Sequence, residues 1–474
     1  MTRTDYPRPS ELISYDVVVL GGGTAGSAAA QTAHDAGASV VMFNDGELGG
    51  LCILRGCMPT KTMLHAAHAA HEAVHPSTPG VRPTGLELDF AEIMANKDVK
   101  VERFKRAKVA SIERGGYDVV DARARFVSPS TVEAGGRTYE FTRGAVIATG
   151  SVPTAAPLPG LDKVDFVTSD GVMRMTEQPA SIAVVGSGAI GSELAQFFAR
   201  IGTDVHLFSR SRVGSKLDPD IADELAKTFV AEPNLTLHNG VLPAGLEPAD
   251  QGVRITLQNG GEVEVDVLLI ATGRGPDVEG LGLSAASVDV AGNAIVSGPD
   301  MRTSNPNVFV AGDATGRDQL LHVANWEGIV AARNALDGGA SHEVEERLDV
   351  EVIFLDPPLS WVGMTQSEVL ECGRQPVTSL IRFPETGRAI TMEVTHGISK
   401  LVADSATGEL LGAQVLGPRS DDLIHTLASI MYYRGTVFDM LELPWYHPTL
   451  SEVFLSQARE LASQVKARVV DSAA

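Results

Sequence analysis

One arrangement of residues occurs twice in this chain and limits its fold more than any other feature. Apolar residues from Tyr15 to Leu20 lead directly into a G-x-G-x-x-G run that begins at Gly21. Ser181 to Val185 lead in the same way into a second run that begins at Gly186, 165 residues further on. Each run continues through a helical stretch into another apolar strand, over 27–36 and 39–43 in the first copy and over 192–200 and 204–208 in the second. This strand–turn–helix–strand order predicts two nucleotide-binding units.

Binding of a pyrophosphate explains why glycine is needed at these places. The first glycine permits a tight turn, the second lets the backbone approach the pyrophosphate, and the third lets helix and strand pack closely. The helix that follows offers free N–H groups to the anion. One such run is weak support for a nucleotide site, but two in the same context predict two dinucleotides. The residues concerned are Gly21, Gly23 and Gly26 in the first run, and Gly186, Gly188, Ile190 and Gly191 in the second.

The rest of the chain follows an α/β pattern and then changes character. Apolar strands ending in A-T-G, at 145–150 and 265–273, close the two predicted nucleotide-binding domains. After about residue 349, strand-like segments precede helices, which indicates an α+β domain: strands over 351–354, 378–383, 389–394 and 400–403, helices over 420–434 and 451–466. We therefore predict an α/β protein with two Rossmann-like nucleotide-binding domains and a third, α+β domain at its C-terminal end.

Composition excludes several classes of partner. The chain has 38 Lys+Arg against 60 Asp+Glu, a net charge of −22, which repels nucleic acid and anionic membranes. No apolar stretch approaches the ~20 residues that span a bilayer, and the N-terminal region lacks the apolar core of a signal peptide. Only three cysteines occur, so a disulfide scaffold is excluded and we expect a cytoplasmic protein. Cys372 has no motif around it, and we expect it to be a buried, inert thiol.

The other two cysteines belong to the motif G-G-x-C-x4-C-x-P-x-K, which begins at Gly49. In a regular helix, residues five apart have Cα atoms about 8–9 Å apart, beyond the ~7 Å limit for a disulfide. A bridge between Cys52 and Cys57 therefore requires a distorted turn, which Gly56 permits. Pro59 is tolerated in the first turn of a helix, which places Cys57 near a helix N-terminus, where a thiolate is stabilised.

These motifs together resemble the flavin-dependent pyridine nucleotide–disulfide oxidoreductases, the family of dihydrolipoamide dehydrogenase, glutathione reductase and mercuric reductase. The resemblance runs nearly end to end. It also includes an A-T-G-R run at 271–274, a segment over 303–313 that ends in A-G-D, and H-P-T-L-S-E at 447–452. It implies FAD, a nicotinamide nucleotide, a redox-active disulfide, and a homodimer in which each active site needs both chains. It also implies the domain boundaries: an FAD-binding domain over 1–155 with 284–348, an NAD(P)H-binding domain over 156–283, and a C-terminal α+β dimerisation domain over 349–474.

The resemblance also assigns roles to individual residues. Cys57 would lie against the flavin as the charge-transfer thiolate, and Cys52 would attack the substrate disulfide. Lys61 and Glu193 would pair beside the reactive flavin nitrogen, and His447, oriented by Glu452, would be the general acid–base. The FAD residues would be Gly21, Gly23, Gly26, Asn44, Asp45, Gly50, Lys61, Thr149, Gly150, Gly312 and Asp313, of which Asp313 would bind the ribityl chain. The NAD(P)H residues would be Gly186, Gly188, Ile190, Gly191, Glu193, Ser209, Arg210, Lys216 and Gly273.

The sequence departs from the family pattern at three places. Asn44, beside Asp45, replaces the acid expected to bind the FAD ribose, and Leu51 and Leu54 make the surroundings of the cysteines more apolar. Ser209 replaces the acid that would hold a ribose 2′-hydroxyl, and basic residues follow it. A charged hydrogen bond to a 2′-phosphate contributes about 1.5–3 kcal/mol, or roughly ten- to a hundredfold in affinity. We therefore expect NADPH to be preferred over NADH, with a solvated basic loop as the alternative.

One further pattern lies outside the family signature. His65, His68, His71 and His75 share one face, about 120° wide, of the helix after the cysteines. Such a face could bind a soft or borderline metal ion. A polar helix face is the more common interpretation, and we assign no metal ligand.

The function that follows is an FAD-dependent NAD(P)H:disulfide oxidoreductase acting on a small disulfide or dithiol, lipoamide-like or glutathione-like. A metal-ion reductase resembling mercuric reductase is an alternative. The final residues, VVDSAA, lack a cysteine pair and no N-terminal metal-capture domain is evident, which disfavours this alternative. Another alternative is a flavoprotein sensor or a subunit of a larger complex, with Trp445 and Tyr446 on a docking face.

Overall fold

The structure, a computed structural model, describes residues 12–76, 78–339 and 341–465. These residues form two compact units. The first unit holds the residues up to Pro59, Asp98–Thr154 and Arg274–Glu345, and the second holds Thr60–Lys97, Ala155–Gly273 and the residues from Glu346 onward. The predicted α/β class is confirmed, and the three-domain boundaries stay a prediction.

The first unit is built on a seven-stranded sheet. Its spatial order is Asp118–Asp121, Val40–Asn44, Leu12–Leu20, Arg137–Ile147, Thr131–Ala134 and Arg125–Ser128, with Val308–Val310 also paired to Arg137–Ile147. Val17 and Val19 point into one core cluster, and Val18 and Leu20 into another. Burial on both faces explains the continuous apolar run, which is typical of a parallel strand.

Helices and short strands complete the first unit. Thr24–Asp35 follows the first glycine run, and the helix Leu321–Asp337 packs beside it. The remaining elements are the helix Gly50–Leu54, the 3₁₀ turn Gly312–Thr315, and the strand pairs Ser151–Pro153 with Arg274–Pro276 and Val290–Ala291 with Ala294–Ile295. Two longer helices of the chain are Cys57–Val74 and Phe90–Glu113.

The second unit repeats the strand order of the first on a smaller scale. Its four-stranded parallel sheet has the order Leu235–Asn239, Asp204–Ser209, Ser181–Val185 and Val267–Ile270. In both sheets the strand before the glycines lies between the next strand of the chain and the strand that leads to A-T-G. Ligands of parallel α/β sheets bind outside the carboxyl ends of the strands, so each glycine run lies at a binding edge. A three-stranded sheet of Gly245–Pro248, Val253–Thr256 and Glu262–Val265 and the helices Ala189–Arg200, Pro219–Ala231 and Ser169–Val172 accompany this sheet.

A five-stranded antiparallel sheet forms the C-terminal part of the second unit. Its order is Val350–Ile353, Leu359–Gly363, Leu410–Leu416, Ile398–Asp404 and Pro376–Arg382. The two strands Leu410–Leu416 and Ile398–Asp404 are buried along their whole length. The accompanying helices are Gln366–Glu371, Gly387–Ile390, Ser420–Tyr432, Val437–Glu442 and Glu452–Gln464, with short 3₁₀ turns at Glu346–Leu348 and Phe383–Glu385. The 3₁₀ turn Leu161–Lys163 lies beside the strand Gly245–Pro248 instead.

One predicted strand of this region is wrong. Residues 389–394 were expected to form a strand, but the structure has the short helix Gly387–Ile390 followed by helical turns. The amide of Ile390 donates to the carbonyl of Thr386, and the amide of Met392 donates to that of Ala389. Ala389 is buried while Ile390 is 56% exposed, so the apolar residues do not share one face. A short apolar run cannot separate strand from helix by periodicity alone.

Candidate functional site

The glycines of the first fingerprint are required by the backbone around them. Gly21 has φ +113°, and a Cβ there would lie 2.1 Å from the carbonyl oxygen of Ala148. A Cβ on Gly26 would lie 1.8 Å from the carbonyl oxygen of Gly21. Gly23 differs, because the nearest described atom to its Cβ position is Gly50 Cα at 3.9 Å. Gly23 is also the N-cap residue of Thr24–Asp35, so the backbone crowds this helix N-terminus less at the middle glycine than at Gly21 and Gly26, and the free N–H groups there suit a pyrophosphate.

The second fingerprint has nearly the same geometry. Gly186 has φ +114°, and its Cβ would lie 2.2 Å from the carbonyl oxygen of Ala271. A Cβ on Gly191 would lie 1.8 Å from the carbonyl oxygen of Gly186, whereas one on Gly188 would meet nothing within 4 Å among the described residues. Ile190 is half-buried in the first turn of the helix, and Gly273 has φ +141°. The two runs are therefore equivalent turns that differ at the middle glycine, where Gly188 faces open space and Gly23 has Gly50 beside it.

One buried hydroxyl in the first unit has no hydrogen-bond partner among the described residues. Thr149 Oγ1, just after Arg137–Ile147, is buried and has no hydrogen-bond partner among the described residues. In the other A-T-G run, Thr272 Oγ1 accepts a hydrogen bond from the amide of Ala156. A buried hydroxyl without a partner costs free energy unless a ligand supplies one. The neighbouring Gly150 has φ +76°, and this position fits a bound dinucleotide.

Asp313 lies in the 3₁₀ turn Gly312–Thr315, where one carboxylate oxygen accepts a hydrogen bond of 2.6 Å from the hydroxyl of Ser151. Gly312, at φ +71°, donates its amide to Glu327 Oε2 at 2.6 Å. Glu327 is 2% exposed, so a buried carboxylate holds the turn that presents Asp313. Sequence reasoning missed Ser151 and Glu327, because neither lies in a recognisable motif.

Asn44 makes both of its hydrogen bonds within the fingerprint region. Its Oδ1 accepts from the amide of Gly22 at 3.1 Å, and its Nδ2 donates to the carbonyl of Gly46 at 2.8 Å. The adjacent Asp45 is exposed. A Cβ on Gly50 would lie 2.9 Å from Gly23 Cα, so the chain after Asn44 returns against the glycine run.

Cys52 and Cys57 lie on two different helices, and the helical conformation is interrupted between them. Cys52 is within Gly50–Leu54, and Cys57 is the first residue of Cys57–Val74. Arg55 ends the first helix with φ −145°. A Cβ on Gly56 would lie only 3.3 Å from Cys52 Cα, which shows how closely the chain folds back at this point. Both cysteines are half-buried, and they do not have the spacing of a regular helix.

Lys61 and Glu193 form an ion pair within the second unit. Lys61 Nζ lies 2.9 Å from Glu193 Oε1 and 2.8 Å from Oε2. The carboxylate side chain is 4% exposed, and Oε1 also accepts the amide of Phe354 at 3.0 Å. The Phe354 ring centroid lies 4.5 Å from Lys61 Nζ. The pairing expected from the resemblance is present in the structure, and Phe354 is an addition that the sequence reasoning missed.

His447 and Glu452 also come together. His447 Nδ1 lies 3.0 Å and 3.1 Å from the two carboxylate oxygens of Glu452. The amide of Thr449 donates to Glu452 at 2.9 Å. That backbone hydrogen bond, followed by the contact with His447, lowers the pKa of Glu452 below its ordinary value. Glu452 is therefore ionised throughout the range in which an imidazole titrates, while the His447 side chain stays 78% exposed.

The basic residues of the loop after the strand Asp204–Ser209 differ in whether they form an ion pair. Ser209 is buried, with its hydroxyl 2.5 Å from that of Ser187. Arg212 forms an ion pair with Asp223 at 3.0 Å. Arg210 and Lys216 are exposed and form no ion pair with any described residue. These two cations are the ones the loop leaves available to an anion.

The four histidines that were predicted to share one helix face differ in burial. His65 and His75 are exposed, whereas burial lowers the pKa of His68 and of His71 to about 4. His71 Nδ1 lies 3.6 Å from Glu232 Oε1, which also pairs with Arg200 at 2.9 Å. In the described part of the chain, no three His, Cys, Asp or Glu side chains are grouped to hold a metal ion.

The third cysteine, Cys372, lies on the surface. Cys372 is exposed, at the C-terminal end of Gln366–Glu371, so the expectation of a buried thiol is wrong. It caps a short helix instead of packing into a core.

No helix in residues 12–76, 78–339 and 341–465 is both long and apolar enough to cross a membrane.

Comparisons with known proteins agree with this geometry. The profile of the family "Pyridine nucleotide-disulphide oxidoreductase" matches residues 15–328, and that of its dimerisation domain matches residues 350–458. Mercuric reductase from Streptomyces lividans is 34% identical over 95% of this chain and 96% of its own length. Dihydrolipoyl dehydrogenase from Chlamydia muridarum is 30% identical over 94% of this chain and 96% of its own length.

Solved structures show the same architecture. The Cu(II) complex of RclA, a HOCl-induced flavoprotein disulfide reductase from Escherichia coli, superposes with a TM-score of 0.83 at 26% identity. The match covers 95% of this chain and 100% of that one. Members of this family use FAD, a nicotinamide nucleotide and a redox-active disulfide. The chain therefore belongs to the class I pyridine nucleotide–disulfide oxidoreductase family and is an oxidoreductase of the flavoprotein disulfide reductase type.

Proposed function

We propose that this protein is an FAD-dependent enzyme that uses NADPH to reduce a small disulfide through Cys52 and Cys57. The observation that carries the proposal is the placement of the two cysteines on either side of the break at Arg55 and Gly56, with Cys57 opening a helix. The partial positive charge of a helix N-terminus favours a thiolate. The thiolate is the species that reacts in thiol–disulfide exchange.

The residues around the first fingerprint fit FAD. Gly23 caps a helix N-terminus with no contact closer than 3.9 Å at its Cβ position, Thr149 offers a buried hydroxyl without a partner among the described residues, and Asp313 offers a carboxylate oxygen beside Ser151. We assign the pyrophosphate to Gly21, Gly23 and Gly26. FAD held by these residues would supply hydride acceptance from the nicotinamide and two-electron transfer to the disulfide.

The second fingerprint is assigned to the nicotinamide nucleotide, with NADPH preferred. Gly188 leaves space for a pyrophosphate. The buried Ser209 carries no charge that would repel a 2′-phosphate, and Arg210 and Lys216 are exposed cations without ion pairs in the described chain. Arg212 is excluded from this role because Asp223 already neutralises it.

The cysteines and His447 then complete the reaction. The Cys52 thiolate attacks one sulfur of the substrate, breaks its S–S bond and forms a mixed disulfide, and the departing thiolate takes a proton from His447. The Cys57 thiolate next attacks Cys52, which releases the second thiol and restores the Cys52–Cys57 bridge. One NADPH and one proton are consumed for each disulfide converted to two thiols. Glu452 keeps the imidazole of His447 oriented through Nδ1.

We further propose a homodimer in which His447 serves the cysteines of the partner chain. The match of residues 350–458 to a dimerisation domain supports this assembly. The exposure of the His447 ring in the single chain also supports it. The cytoplasmic location expected from the sequence remains a prediction.

Reduction of a soft metal ion is a second candidate. The first relatives found carry the name mercuric reductase, and the RclA structure is a Cu(II) complex. The same dithiol could donate two electrons to one Hg(II), re-form the disulfide and release two protons. The His65–His75 face adds no support, because the described residues group no metal ligands there.

An anaerobic titration separates these candidates. The purified protein is titrated with NADPH or NADH while absorbance is recorded for a long-wavelength band from a thiolate in contact with flavin. The reduced enzyme is then mixed with lipoamide, glutathione disulfide, Hg(II) or Cu(II). We expect NADPH to produce the band and a disulfide to be the fastest acceptor.

Cysteine variants provide the control. Cys52→Ser and Cys57→Ser are expected to retain FAD and its reduction by NADPH but to lose disulfide turnover by at least about a thousandfold. The matched variant Cys372→Ser changes an exposed thiol outside this motif and is expected to leave turnover unchanged. A faster reaction with Hg(II) or Cu(II) would favour the metal-ion reductase. Electron transfer to none of the four acceptors would indicate a sensor or complex subunit and overturn the proposal.

A further inference from the structure

Phe354 contacts both members of the Lys61–Glu193 pair. Its amide donates to Glu193 Oε1 at 3.0 Å, and its ring centroid lies 4.5 Å from Lys61 Nζ. No motif of the sequence singles this residue out. We propose that Phe354 is a positioning residue for the Lys61 ammonium. The inference rests on the proposed function, because it concerns the pair assigned there to the flavin.

The amide contact determines how the carboxylate is oriented. Glu193 Oε1 accepts both Lys61 Nζ at 2.9 Å and the Phe354 amide, while Oε2 accepts Lys61 Nζ at 2.8 Å. The Glu193 side chain is 4% exposed, so water does not substitute for these donors. A buried carboxylate is stable only when paired and hydrogen-bonded. The amide of Phe354 therefore fixes the plane of the carboxylate that Lys61 must meet.

The ring contact determines where the ammonium lies. A distance of 4.5 Å is within the ~6 Å range of a cation–π interaction. Lys61 has a flexible four-carbon stem and its side chain is 30% exposed, so the ion pair alone leaves it considerable freedom. The ring restricts that freedom by adding a second attraction on the ammonium to that of the carboxylate.

Phe354 is itself held along the helix Ala189–Arg200. Two residues after Phe354, the amide of Asp356 donates to Gln196 Oε1 at 2.8 Å, and Gln196 Nε2 donates to the Asp356 carbonyl at 3.1 Å. Arg200 pairs with the Asp356 carboxylate at 2.6 Å. Residues 193, 196 and 200 recur on one helix face. The segment that carries Phe354 is thus attached to this helix at three successive places.

A fixed cation is useful because charge near the reactive nitrogens of a flavin tunes its reactivity. Phe354→Leu keeps the amide and removes the ring, so it tests the ring alone. We expect the rate of flavin reduction by NADPH to fall roughly 2- to 30-fold, the range of a partly buried cation–π contact. FAD content and KM for NADPH are expected to stay the same. Phe354→Tyr retains a π face and is expected to restore the rate.

The decisive measurement uses a double-mutant cycle with Lys61→Met. Stopped-flow rates of flavin reduction are measured for the wild type, F354L, K61M and the double variant. If Phe354 acts through Lys61, F354L has no further effect in the K61M background. If the rate reductions of the two single variants multiply in the double variant, Phe354 does not act through Lys61, and the proposal is overturned.

A second readout does not depend on flavin reduction. The purified holoenzyme is labelled with acetic anhydride in the absence of NADPH, and the acetylation rate of Lys61 is measured by mass spectrometry against that of the exposed Lys216. F354L is expected to raise the Lys61 rate severalfold and F354Y to leave it near the wild-type value. Equal Lys61 rates in the wild type and F354L would refute the positioning role. An unchanged flavin reduction rate in K61M would instead refute the role proposed for Lys61, whatever the labelling shows.

Discussion

At the scale of single residues, Asn44 illustrates how a departure from a family pattern is compensated locally. Both ends of its amide are used, one by the amide of Gly22 and the other by the carbonyl of Gly46. An aspartate would keep the acceptor but would place a negative charge against the Gly46 carbonyl. The amide therefore ties the glycine run to the following turn, a function that an acid cannot perform in the same way.

The basic loop supports a prediction at the same scale. Arg210→Ala removes an exposed cation without an ion pair in the described chain, so kcat/KM for NADPH is expected to fall roughly ten- to a hundredfold. The value for NADH, which lacks the 2′-phosphate, is expected to stay within about twofold. Steady-state kinetics with both nucleotides measure this difference.

Arg212→Ala is the matched control for this loop. It removes an equal charge two residues away that is already paired with Asp223, so the preference for NADPH is expected to persist. Equal losses with both nucleotides in Arg210→Ala, or a wild-type enzyme that favours NADH, would contradict the assignment.

At the scale of elements, the helix Ala189–Arg200 combines two tasks. Its N-terminus opens toward space at Gly188, while its body binds Lys61, the Phe354 segment and Asp356 through Glu193, Gln196 and Arg200. The helix therefore links the nucleotide-binding turn to the ion pair. Substitutions at the start of this helix are therefore expected to impair either nucleotide binding or the stability of the fold.

Two glycine variants separate these tasks. Gly188→Ala adds a Cβ that meets nothing within 4 Å among the described residues, so thermal stability is expected to stay almost unchanged while KM for NADPH rises. Gly191→Ala places a Cβ 1.8 Å from the Gly186 carbonyl oxygen and is expected to cost about 1–3 kcal/mol or more of stability. Thermal unfolding and KM measurements test both. An unchanged KM in Gly188→Ala would show that the nucleotide does not approach this glycine.

At the scale of the whole molecule, assembly decides whether the proposed site is complete. In the single chain the His447 side chain is 78% exposed and the adjacent Tyr446 is 79% exposed, and Tyr433, after the helix Ser420–Tyr432, is 81% exposed. Large exposed aromatic side chains are common where a surface is covered by a partner. The dimerisation-domain match over residues 350–458 makes a second copy of the chain the expected partner.

Hybrid dimers test this arrangement. Co-expression of Cys57→Ala with His447→Ala chains, each inactive alone, is expected to restore roughly a quarter of wild-type activity. Random pairing makes half of the dimers mixed, and each mixed dimer has one site with both groups intact. Disulfide reduction by the purified mixture, with differently tagged chains, measures the recovery. Absence of any recovery would show that His447 serves its own chain.

Much of the fold and part of the site follow from local rules. The fingerprint glycines were predicted because their backbone requirements are visible in a short window of sequence. A Cβ on Gly26 or Gly191 would meet the carbonyl oxygen of the glycine five residues earlier, and Gly21 and Gly186 have positive φ. The start of a helix at Cys57 was equally predictable from Pro59. Long-range pairs such as Lys61–Glu193 were expected only through a resemblance.

The sequence by itself determined the two nucleotide-binding turns and the helix start at Cys57, because local backbone sterics and helix geometry dictate them. Only the tertiary structure decided that residues 389–394 form a helical turn, that Cys372 is exposed, that His68 and His71 are partly buried, and that Phe354 meets Lys61. The burial of the two histidines and the contact of Phe354 with Lys61 depend on segments far apart in the chain that packing brings together. No residue's own neighbours in the sequence carry that information.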